Sequence, residues 1–309
     1  MIYDNLKKTG KLNIKNMNIL IILGSTALGD TLAWIPYVEE FRKKHKCNVI
    51  CSTMWNFLFE NEYQDIKFVE PESKCYDVHA IYKIGWRLDN VESRIIPLQQ
   101  TATEILGLEY EEIKPKIIIP KAPRNISGKY VCIAIQSTAQ AKYWNHKNGW
   151  QQVVDYLNSK GYEVVVIDKD PSFGNEEKWP MNYMPKNVNN KTGQISLIDR
   201  IIDLKYADFF IGLPSGLSWL AWSVGTPVIM ISGFSKPFCE FQSNMLRVQN
   251  ESVCNGCFND INNDFDRNDW ATCPEYAGTD RQFECTKLIK YNDVLEKINI
   301  FIDVVKEEE

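Results

Sequence analysis

Along the first seventy residues, short apolar runs alternate with stretches of helical periodicity. Asn18–Leu23, Asn48–Ser52 and Lys67–Val69 read as strands, and Asp30–Lys44 and Trp55–Glu60 between them as helical segments. This β-α-β-α-β alternation predicts a parallel sheet, because parallel neighbours need a crossover between them. Within Asp30–Lys44, Leu32, Ile35, Val38 and Phe41 recur at helical spacing, while Glu39, Glu40, Arg42 and Lys43 occupy the polar side. One face is therefore expected to pack on the sheet. Pro36 lacks a backbone donor, so it marks either the first turn of this helix or a kink in it.

The same alternation restarts after the Pro- and Lys-rich stretch Lys114–Gly128, which reads as a linker. Val131–Ile135 is the expected first strand of a second unit and Trp150–Lys160 its first helix, stopped at Gly161 and followed by the buried strand Glu163–Ile167. Asp208–Gly212 and Pro227–Ile231 read as further parallel strands around a helix Leu217–Val224. The predicted organisation is an α/β protein of two Rossmann-like units, 1–122 and 123–290, with a C-terminal helix at 291–309 packing back on the first. Two such units define a cleft between their strand carboxyl ends, where ligands of open parallel sheets bind. No internal repeat stands out, and the only biased segment is the acidic tail Glu307–Glu309.

Composition narrows the class of partner. The chain has 309 residues, 44% hydrophobic and 12% aromatic, enough for substantial cores. A net charge of −5 gives no general attraction to nucleic acid, so any anion site must be local. Nothing approaches the roughly 20 apolar residues that span a bilayer. The run Ile19–Leu23 is short and ends in a glycine turn, which fits a buried strand better than a signal peptide. Nine cysteines without an export signal predict a reducing, cytoplasmic setting.

Three turns could carry chemistry. Gly24-Ser-Thr-Ala-Leu-Gly29-Asp30-Thr31 follows the first strand and opens the first helix, placing free amides where an anionic or hydroxyl-rich ligand can bind. It lacks the spacing of a dinucleotide fingerprint. Local chemistry favours Asp30 as a helix-capping carboxylate, and the alternative is a general base facing the cleft. The second turn, Ser137-Thr138-Ala-Gln-Ala-Lys142-Tyr143-Trp144, puts two hydroxyls and an ammonium after a strand, a set able to hold a diphosphate. Leu213-Pro214-Ser215-Gly216-Leu217-Ser218 opens a further helix and offers a second phosphate-binding edge. Trp144 beside Lys142 is a candidate sugar-pocket wall, with a core position as the ordinary alternative for a tryptophan. Three histidines without a spacing pattern do not suggest a catalytic metal.

Near the C-terminus, Cys254 and Cys257 form C-x-x-C, followed by Cys273 and Cys285. Four thiolates at this spacing can close a tetrahedral, structural metal site, with disulfides as the other reading. Spacing cannot choose between iron and zinc. Cys239 nearby reads as a buried thiol.

Taken together, Gly29-Asp30-Thr31-Leu32 through Pro36, Ser137 to Asn145 with Gly149-Trp150, and Gly216-Leu217-Ser218 with Gly225-Thr226-Pro227 resemble the bacterial heptosyltransferases. The C-terminal cysteines resemble the iron-binding finger of the autotransporter O-heptosyltransferases, a finger that lipopolysaccharide heptosyltransferases lack. The resemblance spans roughly Asn18 to Leu288 and implies a GT-B fold. It implies an inverting transfer from ADP-heptose to Ser or Thr hydroxyls of a protein acceptor such as an autotransporter, without a catalytic metal. By motif position it makes Asp30 the base, flanked by Gly29 and Thr31. Ser137, Thr138 and Lys142 would hold the diphosphate, with Ser215, Gly216 and Leu217 at its other edge. It also moves the metal of the four-cysteine finger, 254–285, from zinc toward iron. Relatives form a ring-like assembly, so a homo-oligomer is among the partners implied. Two departures are visible. The autotransporter enzymes carry a further N-terminal module, whereas about seventeen residues precede the first strand here, and Ser215 stands near an acidic-then-Thr pair of the lipopolysaccharide enzymes. A saccharide acceptor, a non-catalytic nucleotide-sugar or glycan-binding protein, and a sugar-nucleotide epimerase are the alternative readings. The epimerase is disfavoured because no histidine or carboxylate pair accompanies the donor motifs.

Overall fold

The structure, a computed structural model, describes residues 13–75, 77–85, 93–171, 184–193, 195–263 and 271–308. The chain before residue 13, Glu309 of the acidic tail and residues 264–270 within the cysteine-rich segment lie outside the described residues. The chain divides into two compact units at 118/119, four residues before the expected boundary and within the expected linker.

The first unit is built on a four-stranded parallel sheet of order β3-β2-β1-β4, with β1 Asn18–Leu23, β2 Asn48–Ser52, β3 Ile66–Val69 and β4 Ala80–Ile84. Ile19, Ile21 and Leu23 alternate along β1 and are buried. Helix α1, Leu28–His45, buries Leu32, Ile35, Val38 and Phe41 as their spacing predicts. It also buries Ala33, Trp34, Pro36 and Tyr37, so the front of the helix is covered all round. The cover includes the chain around residues 98–113. The Trp34 indole N–H donates to the Leu98 carbonyl at 2.9 Å, and the Tyr37 hydroxyl to the Glu111 carbonyl at 2.7 Å. Pro36 sits inside α1, not at its first turn, where its ring removes one intrahelical bond. The expected helical segment Trp55–Glu60 is a single 3₁₀ turn, Asn56–Leu58, and a short helix α2, Gln100–Leu106, closes the unit.

A six-stranded parallel sheet of order β10-β9-β8-β5-β6-β7 forms the second unit. Its strands are β5 Tyr130–Ile133, β6 Glu163–Val166, β7 Asn189–Asn190, β8 Phe210–Gly212, β9 Val228–Ile231 and β10 Met245–Val248. The helices are α3 Gly149–Ser159, α4 Leu197–Lys205, α5 Gly216–Val224, α6 Glu284–Lys287 and α7 Tyr291–Glu308. Every residue of β5 and β9 is buried, as expected of interior strands covered on both faces. Contrary to expectation, α7 belongs to this core. Val294, Ile298 and Ile302 cluster with Val153 and Leu157 of α3 and with Val248 of β10. The periodicity of α7 predicted a buried face but carried no information about which unit would receive it.

Candidate active site

In the first unit, β1 lies between β2 and β4, so chain order reverses between β1 and β4. Crevices outside strand carboxyl ends at such a reversal are the usual binding places of open α/β sheets. A cleft of about 390 Å³ opens there, lined by Gly24, Ser25, Thr26, Ser52, Thr53, Ser73 and Lys83 among others. Asp30, in the first turn of α1, accepts a hydrogen bond from Ser25 Oγ at 2.6 Å. Ser25 Oγ in turn accepts from the Ala27 amide at 3.1 Å. Ala27, the residue before the helix, makes no side-chain cap, and Asp30 is held by a serine that lines the cleft. Gly29 and Thr31 are buried, and the Thr31 hydroxyl donates back to the Ala27 carbonyl at 3.3 Å. They shape the turn and offer no side-chain group to a ligand.

The second sheet reverses between β5 and β8, and the two turns singled out in this half follow those two adjacent strands. The structure thereby brings the Ser137–Lys142 turn and the Ser215–Leu217 edge to the same end of the sheet. Ser137 is buried and its hydroxyl has no partner. Thr138 is exposed, and Lys142 is half-buried with no ion-pair partner among the described residues. Ser215 precedes α5 without capping it, so the half-exposed first turn of Gly216 and Leu217 presents amides with no intrahelical acceptor. An orphaned buried hydroxyl, an ammonium and a helix start can together receive a diphosphate.

Trp144 is corrected by the structure. It is fully buried, donates its indole N–H to the Ile289 carbonyl at 2.9 Å, and packs edge-on against Trp150 and face-on against His146. No face of the ring is left for a sugar. Gly149 permits this packing, since a Cβ there would meet the ring at 2.7 Å. Sequence reasoning also missed three polar residues near the turns. Ser25 holds Asp30, while Gln136 and Asp168 brace the turn after β5. An acidic residue directly after the apolar run of β6 was the available signal for Asp168.

None of the four C-terminal cysteines is in a disulfide, Cys285 being buried and Cys254, Cys257 and Cys273 half-buried. Burial, then the charges of Cys254, Cys257 and Cys273, push the Cys285 thiol well above its usual range. Burial, a hydrogen bond to Glu284 and that carboxylate's charge push Cys254 up to about 12, and Cys257 rises to about 11 chiefly through burial. Four sulfurs close enough to act on one another make a donor set that fits a thiolate-binding metal. They do not form a finished shell, because among the described residues no group of three or more His, Cys, Asp or Glu side chains is placed to hold an ion. Cys239 is buried as expected and lies within reach of the Lys142 charge.

Two parallel α/β units with ligand-ready turns at the carboxyl ends of their strands define a GT-B-like glycosyltransferase. Residues 91–255 match glycosyltransferase family 9 (heptosyltransferase), and the chain belongs to that family. It is 43% identical over 287 residues to the autotransporter heptosyltransferase Aah of Escherichia coli, covering 90% of this chain and 72% of Aah. Identity to the autotransporter heptosyltransferase TibC of Escherichia coli O78:H11 is 40%, over 93% of this chain and 73% of TibC. The crystal structure of TibC, an iron-containing dodecameric glycosyltransferase, matches with a TM-score of 0.90 over 95% of this chain and 78% of that one. TibC has also been crystallised in complex with ADP-D-beta-D-heptose. BimC of Burkholderia thailandensis, an inactive autotransporter heptosyltransferase, is 34% identical over 89% of this chain and 67% of its own.

Proposed function

We propose that this glycosyltransferase moves heptose from ADP-heptose to a Ser or Thr hydroxyl of an autotransporter protein, with inversion at the anomeric carbon. One observation carries the reading. The partnerless buried hydroxyl of Ser137 and the uncapped start of α5 share the reversal point of the second sheet, where a diphosphate would complete both. The complex of TibC with ADP-D-beta-D-heptose supports the choice of donor.

In this mechanism the acceptor oxygen attacks the anomeric carbon as the bond from that carbon to the diphosphate breaks. Asp30 takes the proton from the acceptor hydroxyl, and Ser25 holds the carboxylate that receives it. The departing ADP gains negative charge, which Lys142, Ser137, Thr138 and the first-turn amides of Gly216 and Leu217 stabilise. Fixed charge and amide dipoles serve here, so the transfer uses no catalytic metal. Cys254, Cys257, Cys273 and Cys285 would hold a structural iron that ties the segment after β10 to α6. The iron-containing TibC supports that assignment and its dodecamer a homo-oligomer, while the nine cysteines favour a reducing, cytoplasmic site of action.

The test is incubation with ADP-heptose and an autotransporter passenger domain, read by mass spectrometry as a heptosyl adduct on Ser or Thr. An adduct only on a saccharide would replace the protein acceptor. The inactive relative BimC gives weight to a second reading, a binding protein of the same fold. Donor binding without product on any acceptor would establish it.

A further inference from the structure

Asp168 lies just beyond β6, is buried, and has no part in the transfer chemistry above. Both carboxylate oxygens are occupied by amides of the turn after β5. Oδ2 accepts from the Ile135 N–H at 2.7 Å and Oδ1 from the Gln136 N–H at 3.1 Å. The grip continues through the Gln136 side chain. Its Oε1 accepts from the Tyr143 hydroxyl at 3.1 Å, and its Nε2 donates to the Pro171 carbonyl at 3.0 Å. The turn is thus clamped at both ends, at 135–136 and at 143. Ser137, with its partnerless hydroxyl, and Lys142 lie between the clamps.

We propose that Asp168 is a positioning residue for donor binding, its two oxygens fixing the Ile135 and Gln136 amides so that Ser137 and Lys142 meet a nucleotide diphosphate. The inference rests on the reading of this turn as the donor site. It needs both oxygens to be acceptors. Protonation turns one of the two oxygens into a hydroxyl, a poorer acceptor with a proton of its own to place, so one of the two N–H bonds is weakened. Among the described residues, three groups bear on Asp168. Arg200 of α4 donates to the Ile167 and Asp168 carbonyls at 2.8 and 3.0 Å, Asp170 follows on the same turn, and Tyr143 lies across it. Burial raises the carboxyl to about 7, against the two amide bonds and the Arg200 charge. The switch between the two states therefore lies near pH 7.

The experiment is calorimetric titration of the full chain with ADP-heptose at pH 8 and pH 6. For the wild type the Kd should rise about tenfold at pH 6, the protonated fraction then being roughly nine-tenths. Asp168→Asn offers one acceptor and one clashing N–H. Its Kd at pH 8 should already be raised about tenfold or more and should be flat with pH. Equal affinity of Asn variant and wild type at pH 8, or a pH slope that survives in the variant, overturns the role of Asp168 and leaves the donor reading standing. A wild type with no affinity at pH 8 removes the donor reading and this proposal with it. If Asp168→Asn does not fold, Gln136→Leu breaks the other clamp. That variant should bind more weakly at both pH values, and unchanged affinity would overturn the proposal.

Discussion

Ser25 Oγ donates to Asp30 Oδ2 at 2.6 Å while accepting the Ala27 amide. The amide takes the lone pair that would otherwise let the hydroxyl turn, so its proton is committed to the carboxylate. Asp30→Ala should abolish heptosyl transfer and leave the Kd for ADP-heptose unchanged, because the donor turns lie on the other sheet. Ser25→Ala should lower kcat about tenfold with the donor KM unaltered, a value in the range of one charge-assisted hydrogen bond. Ser25→Thr, which keeps the hydroxyl, should restore it. Full turnover in Asp30→Ala would remove the base assignment.

Lys142 contributes in the opposite way. Its half-buried ammonium has no carboxylate partner among the described residues, so a bound diphosphate would be its counter-charge. Lys142→Ala should weaken ADP-heptose and ADP alike by about ten- to a hundredfold, as expected when one charge-assisted contact is lost. Calorimetry on the two ligands checks it. A loss confined to ADP-heptose would instead put the lysine against the sugar.

A third prediction concerns the cysteine segment. A Cβ on Gly233 would meet the Cys285 carbonyl oxygen at 2.3 Å and its carbon at 2.7 Å, both backbone atoms that cannot swing aside. Gly233 also anchors the other arm, since its carbonyl accepts from the Gly256 amide at 2.8 Å. Gly233→Ala should therefore destabilise the chain by roughly 1–3 kcal/mol and, if the four cysteines hold iron as proposed, lower the iron content. Thermal unfolding and metal analysis would read both effects. Gly85→Ala, where a Cβ meets nothing within 4 Å, is the control and should change neither.

What could be foreseen from the residues follows from how local each signal is. β1 and β2 matched their expected bounds because Ile, Val and Leu runs bracketed by glycine or polar turns have one reading. β4 went unread because apolar Ile81 on its exposed face hides the alternation of Ala80, Tyr82 and Ile84, and the strand is fixed by its pairing with β1. α4 and β10 were missed for a related reason. Arg200, Asp203 and Arg247 interrupt their apolar patterns, yet in the fold each is matched by a long-range partner. Arg247 meets Glu240 and Ser232, Asp203 meets Lys191, and Arg200 meets the Ile167 carbonyl. The site divides the same way. Asp30, Lys142 and the α5 start stood in recognisable turns. The fate of Trp144 depended on a carbonyl 145 residues away, which no local pattern reports.

Asp168 also sets a pH dependence of stability whose sign can be worked out. Its carboxyl is raised by burial to about 7 from an ordinary value of 3.8, so between these values the folded chain holds a proton that the unfolded chain has released. Stability from this group is complete at low pH and is lost as pH rises through about 4 to about 7, by at most on the order of 4 kcal/mol. Glu39 and Glu284 act with the opposite sign. Hydrogen bonds from Arg42 and Arg281 hold them below the usual carboxylate range, so their contribution disappears as pH falls. The difference between wild type and Asp168→Asn isolates the buried group. Across pH 4.5 to 7.5 the wild-type Tm should fall relative to that of the variant, and a constant difference would mean that Asp168 does not titrate in this window. The ionised carboxylate that lowers stability is also the form with two acceptors for the Ile135 and Gln136 amides. In the wild type the folding loss should therefore set in first, from about pH 4 to about 7, and tighter donor binding should follow as the folded carboxyl ionises around pH 7; the asparagine variant should show neither contribution.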